Sequence, residues 1–93
     1  MDLQAFEAEL QSQGYQVITT VNQAAGYAMG DHTHAFDACA LITEGAFTIT
    51  VQGQARHYQK GDIFRLPAGT VHSEYAGPNG VTYLAGRRTE ETS

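Results

Sequence analysis

Hydrophobic residues change their spacing after about the first fifteen positions of this chain. Leu3, Phe6 and Leu10 lie three and four residues apart with polar and acidic residues between them, the pattern of a short amphipathic helix. Gly14 follows and is typical of a helix C-terminus. The pattern predicts one N-terminal helix within residues 1–14.

Beyond the helix, the pattern is that of short β-strands. Residues 15–21 are rich in β-branched side chains, and Phe47, Ile49 and Val51 alternate with polar residues, as in a half-buried strand. Other strands are predicted at 38–43, 55–58, 63–66, 71–75 and 81–85, with a loop at 22–30 and turns at 44–45, 52–54, 60–62, 67–70 and 78–80. Roughly seven or eight short strands predict an all-β sandwich or barrel such as a jelly roll, which protects strand edges.

Length and charge restrict the protein class further. The 93 residues suffice for one core, so residues 1–93 are expected to form one domain, with a frayed tail at 87–93. A net charge of -5, with no basic run longer than Arg87-Arg88, argues against nucleic acid or a membrane surface as partner. The sequence has no long apolar stretch or signal-peptide pattern and a single cysteine, Cys39, so we expect a cytoplasmic protein.

Three of the four histidines suggest a metal site. His32 and His34 are two residues apart in a segment expected to be extended, so both imidazoles face the same side. His72 follows the turn at Pro67–Gly69 and is the natural third nitrogen ligand. The alternative is that His32 and His34 are surface residues or a satisfied polar pair, without a metal. His57 lies among polar residues, so we expect it to be solvated.

The glycine and proline positions around these histidines carry a family resemblance. Gly26, His32, His34 and Gly45 match the motif G-x5-H-x-H-x(3,4)-E-x6-G, and Gly61, Pro67, Gly69 and His72 match G-x5-P-x-G-x2-H-x3-N. Over residues 26–76 the sequence therefore resembles the cupin superfamily, of the RmlC-like, cupin 2 type. The resemblance implies a jelly-roll barrel, or double-stranded β-helix. It also implies one divalent transition metal ion: Fe, Zn, Cu, Ni or Mn.

The chain departs from the cupin motifs at two positions. Ala38 stands where the family has its metal-binding Glu, and Ala76 replaces the final Asn. Asp37 and Cys39 flank the first gap, and either could supply an additional ligand if the strand bulged. Otherwise Asp37 is a surface carboxylate or a hydrogen-bond partner near the site, and Cys39 is a small buried apolar residue. The resemblance then implies a centre of three histidines and exchangeable water, or the loss of the metal.

Other side chains near the histidines are candidates for a pocket. Tyr27 and Phe36 flank the His pair, so we expect them to line it. Glu74, two residues after His72, shares its face in a strand and would act as a general base or orient an imidazole; the alternative is a solvated surface residue. Arg65 and Arg87 have the chemistry to bind a substrate carboxylate, but no sequence feature places either in a cavity.

The sequence leaves three functions open. The first is a metal-dependent enzyme on a small organic substrate, of dioxygenase, isomerase or lyase type. The second is a non-catalytic metal- or ligand-binding or sensing module, and the third is a structural cupin with a vestigial site. In each case a homodimer is expected, because a barrel of this size exposes sheet surface that a second copy would cover. The alternative is that the N-terminal helix caps one open side.

Overall fold

The computed structural model describes residues 2–89, which form one helix and six strands. These elements are α1 (Leu3–Ser12), β1 (Gln16–Gln23), β2 (Ala28–His32), β3 (Asp37–Val51), β4 (Gln54–Gln59), β5 (Ile63–Leu66) and β6 (His72–Arg88). The predicted all-β fold with a short N-terminal helix is confirmed. Asp2 caps α1, since its carboxylate accepts a hydrogen bond from the Ala5 amide at 2.8 Å. No helix within residues 2–89 is long and apolar enough to cross a membrane.

Two long antiparallel strands, β3 and β6, form the centre of the jelly roll. The strand order is β1-β6-β3-β4, with β2 also paired to β6 and β5 to β3. Turns that reverse the chain were predicted at 44–45 and 78–80, and this prediction was wrong. Both strands continue through these positions and bend together, with register shifts in β3 on either side of Gly45. Each long strand thus contains two of the predicted short ones.

Glycines allow this shared bend. Gly45 has φ +76°, and a Cβ there would lie 2.1 Å from the carbonyl oxygen of Gly80. A Cβ on Gly80, also at φ +76°, would lie 2.6 Å from the carbonyl oxygen of Gln23. Only a residue without a side chain permits such close backbone contacts. The bend folds the sheet over, so that one face becomes the barrel interior.

Two other predictions of local structure need correction. The loop expected at 22–30 is shorter, because β1 extends to Gln23 and β2 begins at Ala28. Residues 87 and 88 are not frayed but end β6. Arg88 bonds the carboxylate of Asp37 and the carbonyl of Gln13, which holds this end of the strand in place. Residues 90–93 lie outside the described residues.

The hydrophobic residues form two separate clusters on opposite faces of β3. The interior cluster is built on Ala40, Ile42, Phe47, Ile49, Phe64, Leu66, Ala76, Val81 and Tyr83. The second cluster packs α1 against the outer face through Phe6, Leu10, Tyr15, Cys39 and Leu41. Alternation along β3 assigns Ala38, Ala40 and Ile42 to the interior, and Cys39 and Leu41 to the helix side.

Candidate metal centre

Strand pairing brings two of the predicted histidines together. His32 at the end of β2 and His72 at the start of β6 are direct cross-strand partners, as are Met29 and Glu74. A register shift between these pairs leaves an extra residue in β2, a bulge that keeps both pairs on one face. Because cross-strand partners share a face, His32, His72 and Glu74 all point to the same side.

The turn after β5 positions the third histidine. The amide of Gly69 donates to the carbonyl of His34 at 2.9 Å, and the amide of Thr70 donates to the carbonyl of Pro67 at 3.1 Å. The turn at Pro67–Gly69 therefore anchors the His34 backbone and also leads into His72. One turn connects the two segments that carry the histidines.

Four side chains converge at this point. The ligand atoms of His32, His34, His72 and Glu74 all lie within 4.8 Å of one another. Glu74 Oε2 is 3.1 Å from His72 Nε2 and 3.5 Å from His32 Nε2. The cluster offers three imidazole nitrogens and one carboxylate oxygen, a donor set that suits a divalent transition metal.

Backbone carbonyls fix the tautomers of two of the imidazoles. His32 Nδ1 lies 2.8 Å from the Gly30 carbonyl, and His72 Nδ1 lies 2.9 Å from the Thr70 carbonyl. A carbonyl only accepts, so each Nδ1 carries the proton. In the neutral ring, Nε2 then presents a lone pair to the Glu74 carboxylate, which also has only lone pairs to offer. Two acceptors at 3.1 Å require a cation between them, either a proton or a metal ion.

The surroundings of His34 and Tyr27 shift the pKa values of these two side chains. Burial, followed by the proximity of His32 and His72, lowers the pKa of His34 and favours the neutral imidazole that binds metals. Burial and the hydrogen bond to Glu74 raise the pKa of Tyr27 to about 12. The Tyr27 hydroxyl therefore remains protonated near neutral pH and donates to Glu74 Oε1 at 3.0 Å, which orients the carboxylate.

The structure does not bring Asp37 or Cys39 to this cluster. Both flank Ala38, and β3 runs past β5 and β6 without a bulge here, so both point away from the interior. Asp37 accepts a hydrogen bond from the Ala68 amide at 2.8 Å and pairs with Arg88 at 3.1 Å, and these contacts lower its pKa. Cys39 is 1% exposed beneath α1. The bulge that either would need as an additional ligand is absent from residues 37–42.

The carboxylate in the cluster is instead that of Glu74, which the sequence placed in the pocket without making it a ligand. A signal was available: His72-x-Glu74 has the same two-residue spacing as His32-x-His34. His57 does not belong to this cluster. Its Nδ1 lies 2.8 Å from the Thr48 hydroxyl.

A cavity of about 280 Å³ opens beside the cluster. Tyr27, Phe36 and Glu74 line it, as the sequence predicted, together with His34 and Ala38. Its apolar wall includes Val21, Met29, Phe64, Leu66 and Ala85, and Arg87 also borders it. The ring of Phe36 stacks on His34 with centroids 4.8 Å apart. The cavity is large enough for a small organic molecule next to the histidines.

Comparisons with known proteins agree with this architecture. The model of the Cupin_2 family, a cupin domain, matches residues 19–77. A cupin superfamily protein from Desulfitobacterium hafniense is 23% identical with a TM-score of 0.69, over 78% of this chain and 66% of that one. A conserved protein of unknown function from Streptococcus pyogenes is 27% identical with a TM-score of 0.68, over 80% of this chain and 65% of that one.

A third similar structure is the DMSP lyase of Ruegeria pomeroyi, 24% identical with a TM-score of 0.68. The alignment covers 80% of this chain but 39% of the lyase. No curated protein matches the sequence. The chain thus spans about two thirds of the D. hafniense and S. pyogenes proteins and less of the lyase.

Proposed function

Since the chain belongs to the Cupin_2 family of cupin domains, we propose that it binds one divalent transition metal ion through His32, His34, His72 and Glu74. The observation that carries this proposal is the convergence of three imidazoles and one carboxylate, whose ligand atoms all lie within 4.8 Å of one another. In this cluster His72 Nε2 and Glu74 Oε2 lie 3.1 Å apart while the Thr70 carbonyl accepts from the opposite ring nitrogen, so either a proton or a metal ion lies between the two atoms. A metal ion would satisfy both atoms, and the two other donors, His32 and His34, converge on the same position.

The donor set narrows the choice of metal. Imidazole and carboxylate ligands without a thiolate suit Fe, Mn, Ni or Zn rather than Cu(I) or an iron–sulfur cluster. An ion held by these four protein donors would keep coordination positions for a substrate or water. When bound, such an ion supplies a Lewis acid that polarises a substrate.

The surrounding residues support an enzyme acting on a small organic substrate. Tyr27 donates a hydrogen bond to the Glu74 carboxylate and orients it, and the largely apolar wall of the cavity suits the apolar part of a small organic molecule. The fold itself does not select a reaction, because the same barrel serves enzymes and binding proteins. The alternative is a non-catalytic binding or sensing module. Turnover assays on metal-loaded protein distinguish this alternative from an enzyme.

Elemental analysis of untagged protein tests the metal proposal. We expect about one equivalent of metal in the native chain and a loss of stoichiometric uptake in His32→Ala, because the ligand set loses a nitrogen. His57→Ala is the matched control and should retain the metal. Uptake that survives in His32→Ala, or no uptake by the native chain on reconstitution, contradicts the proposal.

We also propose that the protein pairs as a homodimer. β1 and β4 lie at the two ends of the strand order, and edge strands tend to be covered. Sedimentation equilibrium measures the mass directly, and a monomer across micromolar concentrations contradicts the proposal.

A further inference from the structure

The wall of the cavity carries an unusual pair of residues. Ala38 on β3 and Arg87 on β6 are direct cross-strand partners, so their side chains share the interior face. Both line the cavity. Position 38 is where the cupin motif carries Glu, so a carboxylate at that position would face Arg87. Ala38 leaves this space open and the arginine without that partner.

Arg87 is an exposed residue whose side chain makes a cation–π contact at the rim of the cavity. Its guanidinium carbon lies 4.5 Å from the centroid of the Phe36 ring, and the other partner of that ring is His34. Such a contact leaves guanidinium N–H groups available for a planar acceptor. Within residues 2–89, Arg87 takes part in no ion pair.

The charges around the cavity favour an anion. Among the described residues that line it, Arg87 is the one Lys or Arg and Glu74 the one carboxylate. Glu74 faces the histidines, and a divalent ion bound there would more than neutralise it. The remaining wall is largely apolar, with Val21, Met29, Phe64, Leu66 and Ala85.

We propose that the cavity selects a small organic monoanion, a carboxylate on a compact apolar body, with Arg87 as its specificity-determining residue. Arg87 binds the carboxylate edge-on, the apolar wall covers the body, and Ala38 supplies the space. This proposal rests on the proposed function, because a bound metal would contribute part of the positive charge that attracts the anion. The contribution of Arg87 to anion binding does not depend on the metal.

Paired titrations with benzoate and its neutral analogue benzamide test the selectivity. Binding is followed by calorimetry on metal-loaded and metal-free protein, and the metal content of every sample is measured separately. We expect native protein to prefer benzoate, and Arg87→Gln to weaken benzoate binding about tenfold, the effect of losing a charge-assisted hydrogen bond. Benzamide binding should change little. Arg65→Gln is the matched control, because Arg65 is exposed like Arg87 but lies on β5 outside this cavity.

A second pair of variants tests the role of Ala38. In Ala38→Glu, the new carboxylate faces Arg87 and should remove the preference for benzoate. Ala38→Gln fills the same space without a charge and should retain the preference, even where both ligands bind more weakly. Melting temperatures of all variants show whether each is folded.

Three results would overturn the inference: no detectable benzoate binding by native protein, equal binding of benzoate and benzamide, or full preference for benzoate in Arg87→Gln. Failure of the proposed function has a different signature. In that case native protein takes up no metal, while the preference that depends on Arg87 persists in metal-free samples.

Discussion

The two faces of β3 lie in different environments, one covered by a helix and the other bordering a cavity. On the outer face, Cys39 and Leu41 pack beneath α1 in a closed, apolar cluster. On the inner face, Ala38 borders an open cavity that leads to three histidines and a carboxylate. The first face is sealed by a helix, whereas the second remains open to a ligand.

This difference shows how alternation along a strand separates stability from chemistry. Neighbouring residues belong to different environments, because successive side chains point to opposite faces. Asp37 and Cys39 are one residue from the cavity wall in sequence, yet neither reaches it. The covered face should therefore govern folding, and the open face should govern binding.

The largest expected effect is on the covered face. Leu10 is 1% exposed, so Leu10→Ala leaves a cavity under α1 and should lower the free energy of unfolding by about 3 kcal/mol. Chemical denaturation measures this change. At temperatures where the variant stays folded, its metal stoichiometry should equal that of the native chain. A parallel loss of metal from folded protein would contradict the separation of the two faces.

On the open face, Glu74→Gln should weaken metal binding about 10- to 100-fold, because the amide keeps the shape of the side chain but loses its charge. Competition against a chromophoric chelator measures the affinity. Glu44→Gln, an exposed acid at the bend of β3, is the control and should bind metal as the native chain does. Equal affinity in Glu74→Gln would show that the carboxylate is not a ligand.

A smaller, pH-dependent effect is expected at Asp37. The Ala68 amide and Arg88 lower its pKa below the ordinary value of 3.8, so the ionised carboxylate stabilises the fold above that pH. This stabilisation is lost as the pH falls through the folded-state pKa. Asp37→Asn should therefore melt below the native protein at pH 7, and the two melting temperatures should converge as the pH falls through the lowered folded-state pKa. A difference that is constant with pH would exclude the ion pair as its cause.

The smallest expected effect is at Cys39. Burial raises the pKa of this thiol and shields it, so a thiol reagent should react slowly with folded protein and rapidly in denaturant. Addition of metal should leave the folded rate unchanged. Metal-dependent protection of the thiol would restore Cys39 as a candidate ligand.

Much of the fold was predictable from local patterns, but not the continuity of the long strands. β5 falls at the predicted residues 63–66, and the hairpin turn near Gly53 is where the sequence placed it. The turn-forming residues at 44–45 and 78–80 are compatible with a reversal of the chain and with a bend inside a continuous strand. The outcome depends on the packing of Gly45 against Gly80, which involves residues far apart in sequence.

The site shows the same division between local and long-range information. The His32-x-His34 spacing and the turn before His72 sufficed to group three histidines. The sequence placed Glu74 on the face of His72 but left its environment open, because that depends on the bulge that brings β2 into register with β6. Arg87 could be assigned to the cavity only once its pairing with Ala38 was known.

The most direct test of the central claim is a crystal structure of manganese- or iron-loaded protein, with diffraction data collected at the absorption edge of the metal. The account predicts one anomalous peak within coordination distance of His32, His34, His72 and Glu74. A peak at Asp37, Cys39 or His57, or none in protein that contains the metal by elemental analysis, would contradict it.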